Sequence, residues 1–65
     1  MKDYVVTILN MPDNTTRELS VRDVDVYLAH KNTLMRECKS FEEILKMHNS
    51  RGDEVFDLRK GFQGK

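Results

Sequence analysis

A chain of 65 residues with a single cysteine must fold without the disulfides that usually staple so short a domain. Its apolar residues therefore go almost entirely into staying folded. With 38% hydrophobic and 34% charged residues it is too apolar to remain disordered, yet the core it can build is thin. Little is left over to line and dry a catalytic cleft. The expectation is one small α+β domain over residues 1–60, followed by a loose basic tail over 61–65, that works without a cofactor and acts by binding rather than by turnover.

Cys38 has no cysteine partner, and no paired-cysteine zinc spacing exists, which points to a reducing cytoplasm. No stretch approaches the roughly 20 apolar residues of a membrane span. The opening Met1-Lys2-Asp3-Tyr4-Val5-Val6 places an acid where a secretory signal carries its basic region. Eleven basic residues balance eleven acidic ones, so no bulk charge draws the chain to nucleic acid or to an anionic membrane.

Residues 3–10 read as a strand, with Tyr4, Val6 and Ile8 on one side and Val5, Thr7 and Leu9 on the other. Both sides are largely apolar, so the strand should lie centrally. Met11-Pro12-Asp13-Asn14 is turn chemistry, and Thr15 to Leu19 can return as a second strand. Ser20 with Asp23 approximates a capping box, and Leu19 with Val24 a hydrophobic staple. That pattern predicts a helix from about Val21 to Lys31, its buried stripe formed by Val21, Val24 and Leu28. Asp23, Val26, Tyr27 and His30 then fall on the outer half of the helix.

Thr33 to Lys39 reads as a weak strand or an irregular link. Ser40-Phe41-Glu42-Glu43 repeats the capping-box pattern, which favours a short helix over 41–48. The rival reading makes 43–48 a strand, turned back through 49–53; in both readings 54–59 is the last strand, with Val55 and either Phe56 or Leu58 inward. Either way, a second short element completes a small antiparallel sheet beside the N-terminal hairpin and its helix.

His30, His48 and Cys38 are the candidate transition-metal ligands besides the carboxylates, and none stand at the i,i+3 or i,i+4 spacing with which one helix offers two ligands. Nothing around Cys38 suggests a base or an oxyanion hole, and adjacent Glu42 and Glu43 would not face each other on a helix. Asn14-Thr15-Thr16 and Arg51-Gly52-Asp53 match a glycosylation sequon and an integrin-binding tripeptide, and turn chemistry accounts for both. Two features carry a functional reading. Arg59, Lys60, Phe62 and Lys65 could track a phosphate backbone and stack on a base, although the rest of the chain lacks a basic stripe. The outer helix residues Asp23, Val26, Tyr27 and His30 offer an aromatic anchor of the kind that dominates protein interfaces.

Tyr4-Val5-Val6-Thr7-Ile8-Leu9 and the run from Leu19 to Tyr27, in strand–hairpin–helix order, resemble the small uracil-DNA glycosylase inhibitor of some Bacillus phages. The resemblance implies a short β-rich domain with one helix, acting as a dimer that plugs the enzyme's DNA-binding groove. This chain is neutral where that family is acidic, and it carries Val24 where the family has an aromatic plug. The function expected from the residues is broader: a protein-binding module of phage or mobile-element type that sterically blocks a larger host protein. A second copy docking on the same helix face would be the homodimeric version.

Overall fold

In a computed structural model, which describes residues 1–63, β1 (Lys2–Asn10) runs through the middle of the sheet and is paired on both sides. Its partner in the hairpin is β2 (Thr15–Asp23), followed by α1 (Val26–Arg36), β3 (Glu42–Asn49), β4 (Glu54–Asp57) and β5 (Gly61–Phe62). The five strands are antiparallel in the order β2-β1-β3-β4-β5. The helix covers one face of this sheet, giving the expected α+β architecture of a hairpin packed on a helix.

The turn between β1 and β2 behaves as its residues require. Asn10 Oδ1 accepts a bond from the Asp13 amide at 3.2 Å, and Asn14 takes the left-handed conformation at φ 57°. The β3–β4 turn uses the same devices. Asn49 Oδ1 accepts from the amides of Arg51 and Asp53, and Gly52 adopts φ 88°. Turn chemistry thus accounts for both the sequon and the Arg51-Gly52-Asp53 tripeptide.

Four sequence expectations change. Ser20 is not a helix cap: β2 continues unbroken to Asp23, with Ser20 opposite Val5 and Val21 opposite Tyr4. The period-2 pattern of Arg17, Leu19, Val21 and Asp23 prevails over the cap pattern because β1 offers it a full-length partner. The helix starts five residues later, where Asp25 caps it by accepting from the Leu28 amide at 2.9 Å. Its phase moves accordingly. Ala29 and Thr33 are buried, whereas Val24 and Leu28, placed in the buried stripe by the sequence reading, are exposed. Asp25→Ala is therefore expected to lower stability by about 1 kcal/mol. Ser20→Ala should leave it nearly unchanged, and a urea melt of each variant distinguishes the two starts.

The helix expected over 41–48 is instead strand β3, and the hairpin reading holds for this segment. The register with β1 shifts between Thr7 and Ile8, with Lys46 opposite Thr7 and Ile44 opposite Ile8. Leu45 is the extra residue of a bulge, which lets Ile44 and Met47 face the same side of the sheet although three positions apart. Finally, Gly61 and Phe62 do not belong to a loose tail: they pair with Asp57 and Phe56. Thr33 to Arg36 is helix, and the irregular link is confined to the residues after it.

The core lies between α1 and the near face of the sheet. Tyr4, Val6, Ile8, Ala29, Ile44, Met47 and Phe56 form it, edged by Leu19, Val21, Val26, Cys38 and Val55. One polar clasp closes this layer near the helix C-terminus. The Arg17 guanidinium donates to both carboxylate oxygens of Glu42 at 3.2 Å and to the Glu37 carbonyl at 2.9 Å. Glu42 also accepts from the Lys39 amide at 3.0 Å, so the clasp ties β2 to the link that leads into β3.

Candidate binding face

Of the four residues expected on the outer helix face, the structure leaves one fully outward. Asp23 ends β2, and its carboxylate is used locally: it accepts from the Val24 amide and from the Asn32 side chain, each at 2.8 Å. These bonds hold its carboxyl below the usual range, the Asn32 bond foremost. Val26 turns inward and packs against the core. His30 is half-buried, its ring 4.5 Å from that of Phe56. Burial pushes its pKa below the ordinary value, so the imidazole is neutral near neutral pH. Tyr27 alone stands exposed.

Tyr27 does not stand unsupported. Its ring lies 4.5 Å from that of Phe62, and Phe62 lies 5.2 Å from His30 and 4.9 Å from Phe56. Strand β5, short as it is, brings Phe62 from the supposed nucleic-acid tail to the flank of the helix. The two candidate sites are joined through this ring. Phe62 packs against these rings with 38% of its surface still exposed. Arg59 and Lys60 lie exposed in the β4–β5 turn, where the Asp57 carboxylate accepts from the Arg59 amide at 2.8 Å. Lys65 lies outside the described residues.

The delayed helix start creates a feature that the sequence reading missed. With Val26, Ala29, His30 and Thr33 turned to the sheet, the opposite side of α1 presents Tyr27, Leu28, Leu34 and Met35. Their exposures are 59%, 39%, 42% and 71%. Positions i, i+1, i+7 and i+8 share one helical face, so α1 is apolar on two sides, with Lys31 set among the outer four. The spacing of these four residues is in the sequence, but it forms one face only for a helix capped at Asp25 and beginning at Val26. Beside Tyr27 opens a groove of about 620 Å³, running from the helix start to the β3–β4 turn; Asp25, Tyr27, Arg51, Val55 and Phe62 are among its walls. It could accept a partner side chain next to the aromatic anchor.

Burial, followed by the Glu42 charge, pushes the Cys38 thiol up, so it stays protonated and a weak nucleophile near neutral pH. Among the described residues, no three His, Cys, Asp and Glu side chains are grouped to hold a metal ion. No helix among them is long and apolar enough to cross a membrane. Comparison of the chain with protein families, curated proteins and solved structures finds no match. The run from Leu19 to Tyr27, which carried the likeness to the glycosylase inhibitor, spans the end of β2 and the first turn of α1, with Val24 in the connection.

Proposed function

We propose that the chain is a non-enzymatic protein-binding module that lays the outer face of α1 against a larger protein and acts by blocking or repositioning it. Small modulators of this kind are typical of phages and mobile elements. The observation that carries the reading is the second apolar side of the helix, made by Tyr27, Leu28, Leu34 and Met35 and left uncovered by the fold. A domain with so little apolar material gains no stability from holding four such side chains in water, whereas an interface core uses them directly. Phe62, packed against Tyr27, holds the anchor ring in place before binding, which lowers the ordering cost of association.

The test is capture from a nuclease-treated lysate of the native host, with quantified bound proteins. The wild-type chain should retain one stoichiometric partner. Tyr27→Ala and Met35→Lys should each lose it by at least about tenfold, since removing one hot-spot side chain costs about 2 kcal/mol or more. Lys46→Ala, on the far face of the sheet, should retain it. A partner held equally by all three variants would place the interface elsewhere. A blank with the wild type would remove the reading.

A further inference from the structure

The two edges of the sheet differ sharply. β5 is a two-residue strand, but β2 presents nine residues along an edge to which no element among the described residues adds. Unpaired edges of this length are ordinarily shortened, covered or blunted by charge. The direction of its free groups follows from the ladder. The Met11 amide bonds to the Phe41 carbonyl on the β3 side, so odd residues of β1 turn their backbone groups to β3 and even residues turn theirs to β2. In β2 the odd residues answer β1, and Thr16, Glu18, Ser20 and Arg22 point their N–H and C=O groups outward. All four are exposed, and none makes a further backbone bond among the described residues.

We infer that this edge pairs with the β2 edge of a second copy, antiparallel, about a two-fold axis at Ser20. The sequence of the edge is complementary to itself in that register. Ser20 meets Ser20, Leu19 meets Val21, and Glu18 meets Arg22 of the second copy, with the symmetric pairs repeating each contact. The outward residues Glu18, Ser20 and Arg22 fall opposite one another, as an antiparallel ladder requires. Moving the axis to Leu19 sets Glu18 opposite Ser20 and loses both ion pairs; moving it to Glu18 sets two carboxylates against each other. The charges on this edge thus select one register as well as guarding against others. Glu18 has no ion partner within the described residues, while Arg22 is held by Asp3 at 2.8 Å on an exposed surface and can be shared. Leu19 and Val21, partly buried at the rim of the core, would be covered from their open side. The axis stands perpendicular to the sheet, so both helices lie on the same face of the joined sheet.

Sedimentation equilibrium over a concentration series tests this pairing. The wild type should pass from monomer to dimer, and added salt should weaken the dimer. Glu18→Arg and Arg22→Glu each reverse two cross-strand pairs and should weaken self-association by roughly tenfold or more. Mixing the two variants in equal amounts should restore a dimer, because every Arg then faces a Glu across the axis. Asp3→Asn should leave the dimer intact, which separates this effect from loss of the Arg22 bridge. Ser20→Pro removes only an outward amide and should yield a folded monomer, its fold checked by circular dichroism. A wild type that stays monomeric throughout overturns the inference. So does a dimer indifferent to both charge reversals, or a mixture that fails to recover.

Discussion

Met47→Ala is expected to leave the domain unfolded, or nearly so, at room temperature. Met47 has no exposed surface, and it stands opposite Val6 in β1 and Phe56 in β4. It is thus the side chain through which the hairpin and the C-terminal strands share one core. Removing a buried methionine side chain costs about 2–5 kcal/mol, the transfer term and the cavity together. A single core in a chain this short supplies about 3–5 kcal/mol in total. The loss therefore matches the whole margin. Far-UV circular dichroism with a thermal melt reads the outcome directly. Met35→Ala is the control, since Met35 touches no core and its truncation should stay within about 0.5 kcal/mol. A Met47→Ala protein that still melts cooperatively within a few degrees of the wild type would show that the core does not run through this residue.

Arg17→Met should destabilise the protein most near neutral pH and least in acid. Glu42 is almost wholly covered, whereas Arg17 is half-exposed. The Arg17 guanidinium, followed by the Lys39 amide, holds the Glu42 carboxyl below its ordinary 4.5. An acid depressed in this way stabilises the fold above its unfolded value, and the contribution is lost as pH falls through the folded value. Taking away the guanidinium leaves a covered carboxylate with one amide donor, so the penalty is paid while Glu42 is charged and vanishes once it is protonated. Arg17→Met keeps most of the aliphatic stem, so the change isolates the charge. Adding Glu42→Gln should recover much of the loss, because the amide oxygen still accepts from Lys39 without needing a counter-charge.

The wild-type profile has an earlier step of the same sign. His30 is held below its ordinary 6.5 by burial, so the unfolded chain takes up a proton first and stability starts to fall below that pH. Asp3, Asp23 and Asp57, each depressed by its hydrogen bonds, join Glu42 in extending the decline into acid. Urea melts across the acid range would show the result. An Arg17→Met penalty that does not change with pH would mean that the clasp holds by packing alone.

The alternation of Tyr4, Val6 and Ile8 needs no partner to be recognised, and the central strand is where it was expected. The hairpin turn is written in Pro12, Asp13 and Asn14. The start of α1 was misplaced because two patterns overlap on the same residues. Ser20 and Asp23 have cap spacing, while Arg17, Leu19, Val21 and Asp23 have strand spacing. Only the length of β1, a non-local fact, decides between them. In β3, Ile44 and Met47 are separated by three, the mark of a helix, and the bulge at Leu45 produces that spacing within a strand. The Arg17–Glu42 clasp joins residues 25 apart, and β5 is too short to have a pattern of its own. At the candidate face the anchor Tyr27 was visible, but its companions Leu28, Leu34 and Met35 depended on the helix phase.

The central place of β1 divides the molecule by how readily its parts can open. Detaching α1, or peeling β5 from β4, leaves β1 bonded on both sides. Freeing β1 means undoing the hairpin and the pairing with β3 together, which amounts to losing the fold. Its amides should therefore be the last to meet solvent, and residues 2–10 define the unit that opens only globally. Tyr27, Met35 and Phe62 belong to the other part, the helix and the outermost strand. The outer apolar side chains are thus carried by elements whose release would break none of the backbone pairing of β1.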